Sequence, residues 1–447
     1  MQENTLVIKS LDMDARGVGH LDNEDGSPGK VVFVEGALPG ERVTFTTFKK
    51  KKNWEMARMD ELLRESYMRV QPQCRHFAIC GGCSMQHLEP SAQVAVKQRV
   101  LEDNLVHIGK VKAESMMRPL YGPTWGYRYR ARLSVRHVAK KGTVLVGFHE
   151  KKSVFVADIQ SCEILPRHVS DLLMPLRALI GSLSLFDQIP QIEVAIGEGV
   201  TALVLRIMAA LTPDDEVKLK AFADQHQIQF WLQTKGPDTA VPYYPLGDEL
   251  HYLLPEFGIR MPFKPVDFTQ VNHYINRVLV AKALRLLEVQ PQDRVADLFC
   301  GLGNFTLPLA TQAREVVGIE GLTSLTERAL DNAKANGLSD KTTFYTRNLF
   351  EITADHLIEL GKFDRMLIDP PRDGAMALSE ALVALSQSRA DLLPRRIVYV
   401  SCSPSTLARD AGILVNAGYT LSKAGVVNMF PHTSHVESMA VFDLPAA

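Results

Sequence analysis

Arg294-Val295-Ala296-Asp297-Leu298-Phe299-Cys300-Gly301-Leu302-Gly303-Asn304-Phe305 decides the fold of this 447-residue chain. Residues 294–299 form an apolar run of strand length, and the two glycines after it lead into a helical pattern. That is a strand, a tight turn and a helix. Glycines in such a turn let a ligand come close to the backbone. Downstream, residues 315–320, 342–345, 363–368 and 397–401 read as strands, with a helical pattern over 322–336. Residues 425–430 and 436–443 add two more strands. This alternation predicts a doubly wound, Rossmann-like α/β domain over residues 266–447.

Ligands in such sheets bind beyond the carboxyl ends of the strands, so those ends carry the chemistry. Residue 320 closes the strand after the glycine turn with a carboxylate, Glu320, placed to accept both ribose hydroxyls of an adenosine. A dinucleotide fingerprint needs a third glycine, and Thr306 stands in its place; S-adenosylmethionine therefore fits better than NAD. The bland alternative is a structural turn with a solvent-facing glutamate. Residues 363–368 run into Asp369-Pro370-Pro371-Arg372, and 397–401 into Ser401-Cys402-Ser403-Pro404. A lone cysteine is by default a small core residue. Cys402, at a strand end shared with a carboxylate and a guanidinium, reads instead as a nucleophile, its thiolate favoured by Arg372. Cys300 reads as structural.

A thiol beside a methyl donor suits methylation of uracil at C5. Addition of the thiolate to C6 makes C5 nucleophilic, and a base then removes the C5 proton. Glu437 is the candidate base, with His435 as its rival.

Length allows two or three domains. With 50 basic and 51 acidic side chains, net charge selects no partner and only local distribution can. No apolar run has the length of a membrane span, and the amino terminus lacks a secretion pattern, so a cytoplasmic monomer is expected. Residues 1–68 look all-β and barrel-like, with Lys49, Lys50, Lys51 and Lys52 beside Trp54. Residues 69–265 read as a central α+β domain whose residues 93–124 pack with the catalytic domain. Within it, residues 125–152 hold eight basic side chains and one acidic one, Glu150. Arg128, Arg130 and Arg132 alternate with Trp125, Tyr127 and Tyr129, a pattern suited to phosphates and unstacked bases of single-stranded RNA. A charged strand face above an ordinary aromatic core fits equally well.

Cys74, Cys80 and Cys83 fall within ten residues, and Cys162 is the remaining cysteine outside the catalytic domain. In a reducing compartment these four point to metal rather than disulfides. Four thiolates suit zinc or an iron–sulfur cluster, and the uneven spacing favours the latter.

Together these motifs resemble the RNA uracil-5-methyltransferase family, in its large-subunit ribosomal RNA branch. The resemblance spans nearly the whole chain: a TRAM-like barrel, the four cysteines, Asp267-Phe268-Thr269-Gln270, residues 297–305, 368–372 and 401–404, and His435-Val436-Glu437. It implies that Cys74, Cys80, Cys83 and Cys162 hold a [4Fe–4S] cluster. It implies a pocket for S-adenosylmethionine lined by Gln270, Phe299, Asn304, Glu320, Asn348 and Asp369. By the same resemblance Cys402 is the nucleophile, Glu437 the base, and a flipped uridine in a single-stranded or loop segment of 23S ribosomal RNA the substrate. Competing readings are the family's tRNA branch, an iron–sulfur oxidoreductase with a nucleotide cofactor, and an RNA-binding protein without catalysis.

Overall fold

The computed structural model describes residues 5–22 and 28–445. Parts of the barrel-like segment expected over 1–68, namely 1–4 and 23–27, lie outside the described residues. The segment forms a six-stranded sheet: β1 (Thr5–Val7), β2 (Ser10–Leu11), β3 (Gly17–Asp22), β4 (Pro28–Glu35), β5 (Arg42–Lys50) and β6 (Trp54–Arg64). Its order is β1-β5-β6-β4-β3-β2, antiparallel except for β4 with β6. Leu6, Ile8, Val32, Val34, Val43 and Phe45 fill its core, so the sheet is apolar on one face only, as strand alternation requires.

The cysteine-bearing loop leads into α1 (Pro90–His107) and the short β7 (Ser115–Met116). Although α1 precedes the central sheet in sequence, its Val100, Leu101 and Leu105 belong to the core of the catalytic domain. The fit is tight just past its end. A Cβ on Gly109 would stand 2.3 Å from the carbonyl oxygen of Ala408, and one on Gly412 would stand 2.7 Å from that of Gly109. Only glycine allows this approach.

The central sheet contains β8 (Arg130–Val138), β9 (Thr143–Gly147), β10 (Gln191–Ile196), β11 (Thr201–Arg206), β12 (Gln229–Gln233) and β13 (Val241–Tyr244), in the order β13-β12-β11-β10-β8-β9. Helices α2 (Arg167–Ser170), α3 (Leu173–Ser182) and α4 (Pro213–His226) connect these strands. Helix α4 opens on a capping box: Thr212 accepts from the Asp215 amide, and the Asp215 carboxylate reaches back to the Thr212 amide. Asp215 is fully buried and also accepts from the Ser184 amide at 2.7 Å and the Thr212 hydroxyl at 2.7 Å. Burial alone would raise its pKa, but the bonds from Ser184 and Thr212 outweigh it and hold the carboxyl well below the ordinary range. Asp215→Ala should therefore lower stability by about 2–3 kcal/mol in a urea melt. The depressed pKa fixes the sign of the pH dependence. The contribution is complete above the unfolded carboxyl value of about 3.9 and fades as pH falls through the folded one.

A hairpin of β14 (His251–Leu254) and β15 (Ile259–Pro262) leads to the catalytic domain. Its elements run α5 (His273–Leu287), β16 (Arg294–Leu298), α6 (Thr306–Ala310), β17 (Glu315–Glu320), α7 (Thr323–Ala335), β18 (Thr342–Thr346), α8 (Ala354–Leu360), β19 (Arg365–Ile368), α9 (Met376–Ser388), β20 (Arg396–Ser401), α10 (Pro404–Asn416), β21 (Thr420–Val427) and β22 (Glu437–Asp443). The sheet order is β18-β17-β16-β19-β20-β22-β21-β7. The first five strands are parallel, and β22 inserts antiparallel between β20 and β21. The chain changes direction between β16 and β19, and that reversal opens a crevice at their carboxyl ends.

The alternating strand expected from Trp125 onward begins only at Arg130. Tyr127 is fully buried, its hydroxyl donating to the Pro431 carbonyl at 2.8 Å, and Trp125 stacks on His432 with ring centroids 3.8 Å apart. The Tyr129 hydroxyl donates to that of Tyr274. These rings join the central segment to the catalytic domain. Arg132 pairs with Glu193 at 3.0 Å, and Arg130 reaches the same carboxylate at 3.8 Å. Among the described residues, no helix is long and apolar enough to cross a membrane.

Candidate active site

Five parallel strands end on one rim, and each contributes a residue that the sequence singles out. After β16 the backbone turns through Phe299 at φ +63°, a left-handed conformation that a bulky side chain rarely takes. The Phe299 amide and the Cys300 amide both donate to the Ile319 carbonyl, which pins the glycine turn to β17. Glu320 ends β17. Its two carboxylate oxygens accept from the Gly301 amide at 3.1 Å and the Gly321 amide at 2.7 Å, so the acid is fixed beside the turn. Asn348 follows β18, is exposed, and accepts from the Phe350 amide; the Phe350 ring meets Phe299 at 5.8 Å. Asp369 follows β19, its amide bonded to the Leu298 carbonyl at 3.2 Å. Cys402 follows β20.

The other two expected pocket residues, Asn304 and Gln270, do not stand directly at a strand end. The Asn304 side chain is already engaged: its Oδ1 accepts from Tyr252 and from Asn276, and its Nδ2 donates to Asn276. It locks the glycine turn onto α5. Gln270 lies off the rim strands, in the polar entry to α5, whose N-cap is Asn272.

The Ser401 hydroxyl donates to the Ser403 carbonyl and accepts from the Ser403 amide, a brace that turns half-buried Cys402 out of the strand. Ser401 pairs with Ser438 across β20 and β22. The next residues along are Cys402 and Glu437, and residues opposite one another in an antiparallel pair share a face. Burial, then the neighbouring carboxyls of Glu437 and Asp369, push the Cys402 thiol up to about 11, against the opposing pull of Arg372. Burial and Asp369 raise the Glu437 carboxyl well above its ordinary value, and burial with Asp297 raises Asp369 to about 8. Asp369, with its carboxyl near 8, is mostly protonated at neutrality, so it repels the thiolate less than a full charge would. Arg372 also donates to His435 Nδ1 at 3.4 Å. His435 is exposed at the mouth of the site, whereas Glu437 is buried beside the thiol.

A cleft of about 1050 Å³ reaches this mouth. Its walls come from the amino-terminal sheet (Arg16, Glu35), the cysteine loop, the segment 148–152, and Thr433 to His435. Cys74, Cys80, Cys83 and Cys162 line one small neighbouring cavity, and all four thiols are free. Among the described residues, no three His, Cys, Asp or Glu side chains are gathered closely enough to hold a single metal ion. The expected ligands therefore converge on a common space without closing on one point. The segment 428–436 between β21 and β22, which carries His432 and His435, went unread in the sequence as a structural hub. Its only signal was the dense run of polar and ring residues between two strands.

The strand order, the crevice at the direction change and the rim chemistry define a Rossmann-like methyltransferase. A family model described as tRNA (Uracil-5-)-methyltransferase matches residues 254–443. The chain is 68% identical over 439 residues to the 23S rRNA (uracil(1939)-C(5))-methyltransferase RlmD of Cupriavidus pinatubonensis, covering 98% of this chain and 95% of the relative. It is 66% identical over 442 residues to the protein of the same name from Ralstonia pickettii, with 98% of each covered. The crystal structure of Pyrococcus abyssi tRNA (uracil-54, C5)-methyltransferase in complex with S-adenosyl-L-homocysteine superposes with a TM-score of 0.73 at 23% identity. It covers 98% of this chain and all of that one, a likeness of fold. The chain belongs to the RNA (uracil-C5)-methyltransferase family.

Proposed function

We propose that this protein transfers a methyl group from S-adenosylmethionine to C5 of a uridine in 23S ribosomal RNA, giving 5-methyluridine. The observation that carries the reading is Cys402, one residue past the Ser401–Ser438 pair, beside the buried Glu437 at the rim of the sheet, in a chain whose close relatives bear that activity in their names. The tRNA reading has the family model's description and a distant fold likeness on its side. The full-length relatives outweigh it.

Glu320 would take the ribose hydroxyls of the cofactor, and Phe299, Gln270, Asn348 and Asp369 would complete its pocket. Asn304 contributes by holding the turn. The bound cofactor supplies an electrophilic methyl group beside the rim. The Cys402 thiolate adds to C6 of a uridine flipped out of its strand, and the electron pair moves to C5. Once C5 has accepted the methyl group, the Glu437 carboxylate takes the C5 proton, the C6–sulfur bond breaks, and the thiolate is restored. A carboxyl raised by burial is a stronger base than one in water, which suits this step. Arg372 offsets charge on the thiolate.

RNA enters along the cleft between the amino-terminal sheet and the mouth of the site. Residues 1–68 act as a TRAM-like RNA-binding barrel, with Lys49 over the Trp54 ring at 5.5 Å and its exposed lysine neighbours as the phosphate-facing patch. Residues 69–265 act as the central domain and 266–447 as the methyltransferase, in a monomer. Incubation of unmodified 23S ribosomal RNA with labelled cofactor, followed by mapping, tests the reading. Label in 5-methyluridine is expected; binding without transfer overturns it.

The four thiols also fit a [4Fe–4S] cluster. Burial leads the causes that raise Cys74, Cys80, Cys83 (to about 11) and Cys162 (to about 12). Such crowded thiols become stable thiolates only around a cation. A thiolate set spread around a cavity suits a polynuclear cluster better than a lone zinc ion. Anaerobically purified protein should be brown, with broad visible absorption that Cys83→Ala and Cys162→Ala remove. Colourless protein with one zinc per chain would refute the cluster.

A further inference from the structure

One face of α1 carries polar side chains where a packing helix should be apolar. Gln93, Lys97 and Gln98 all reach the end of β21 or the 428–436 segment. The Lys97 ammonium is almost wholly buried, yet its Nζ donates to Asn428 Oδ1 and to the Phe430 carbonyl, each at 2.8 Å. Gln93 accepts from the His432 amide at 2.8 Å, and its Nε2 stands 3.2 Å from His432 Nδ1. Gln98 accepts from the Val426 amide. Each of these contacts bridges more than 300 residues of sequence.

The anchored atoms flank the catalytic pair. Asn428 follows Val427, which is the strand partner of Glu437. The Phe430 ring meets His435 at 5.6 Å, and His435 meets Arg372, which acts on the Cys402 thiol. Lys97 therefore grips the loop between the strand partner of the base and the residue packed against the guanidinium. Moving the loop moves both.

We propose that Lys97 is a positioning residue for the methyl-transfer reaction: through Asn428 and Phe430 it sets the β21–β22 loop so that Glu437 and Arg372 stand correctly beside Cys402. This rests on the reaction proposed above. Burial pulls the Lys97 pKa down to about 7, so the side chain is partly neutral in neutral solution. A neutral amine still has two N–H donors, and two acceptors face it. The contact survives loss of charge, which a buried lysine needs if it is to hold a shape and not pair with an acid.

The test uses full-length Lys97→Met, which keeps the length of the side chain and removes both donors. Melting temperature, affinity for S-adenosylhomocysteine, kcat and KM for cofactor, and RNA–protein adduct on denaturing gels are measured against wild type. Melting and cofactor affinity should stay close to wild type. The kcat should fall about 10- to 100-fold, the scale of a misplaced catalytic group, with KM for cofactor within about twofold. Adduct should accumulate, because proton removal depends on Glu437, whereas addition by Cys402 is only assisted by Arg372 and still proceeds. Unchanged kcat overturns the proposal, and so does a fall in kcat without adduct. A fall matched by equal losses in melting and cofactor affinity overturns it too, leaving Lys97 a purely structural contact. Should Lys97→Met fail to fold, Asn428→Ala and Gln93→Leu carry the same expectations and the same refutations. Wild-type enzyme inactive on 23S ribosomal RNA would sink the underlying reaction, a result separate from any property of Lys97.

Discussion

Cys402→Ala will reduce methyl transfer by about 10⁴-fold or more, the scale on which removal of a covalent nucleophile acts. Alanine keeps the turn, because the Ser401–Ser403 brace does not involve the residue 402 side chain. Cofactor binding, proposed above to rest on the ends of β16 to β19, should remain. The variant should also form no RNA–protein adduct on denaturing gels. Full activity in Cys402→Ala would end the covalent account. The wild-type pH profile carries a linked expectation. With the thiol near 11, its reactive anion is about one part in 10⁴ at pH 7, since the raised value favours the protonated form. kcat/KM should therefore climb about tenfold per pH unit through neutrality. A profile flat from pH 6 upward would mean that another group delivers the thiolate.

Glu437→Gln should separate the two halves of the reaction. Glutamine has nearly the same shape, and the site is already closed around the side chain, so folding and addition by Cys402 persist. Removal of the C5 proton does not, and turnover should fall by about 10²–10⁴-fold. Adduct then builds up where the wild-type enzyme shows little. An isosteric variant with wild-type turnover would pass the role of base to another group, with exposed His435 the next to test.

The catalytic half was open to sequence reading because its signals are local. Runs such as residues 294–298 and 396–401 are apolar and bounded by glycine, proline or serine, so strands and their ends follow from composition. Cys402, Asp369 and Glu320 each stand immediately at such an end, and their convergence follows from parallel pairing alone. What the local pattern cannot carry is pairing over distance. Nothing in residues 437–443 says that the strand slips between β20 and β21. Trp125 and Tyr127 alternate as surface residues do, yet each finds its partner in the 428–436 segment. Lys97 lay among the apolar positions of a helix, and a charged residue there was the one legible sign of its contact.

The bonds between the cysteine loop and the 428–436 segment set the timing of assembly. The Ser84 and Met85 amides both donate to the His432 carbonyl, and the Ser434 amide donates to the Ser84 hydroxyl 350 residues away in sequence. During synthesis the amino-terminal sheet can form early, but the partners of Gln93, Lys97 and Ser84 follow more than 300 residues later in the chain. Until then, the polar face of α1 is open to water. A fragment that stops before residue 428 therefore leaves Gln93, Lys97 and Ser84 without these partners.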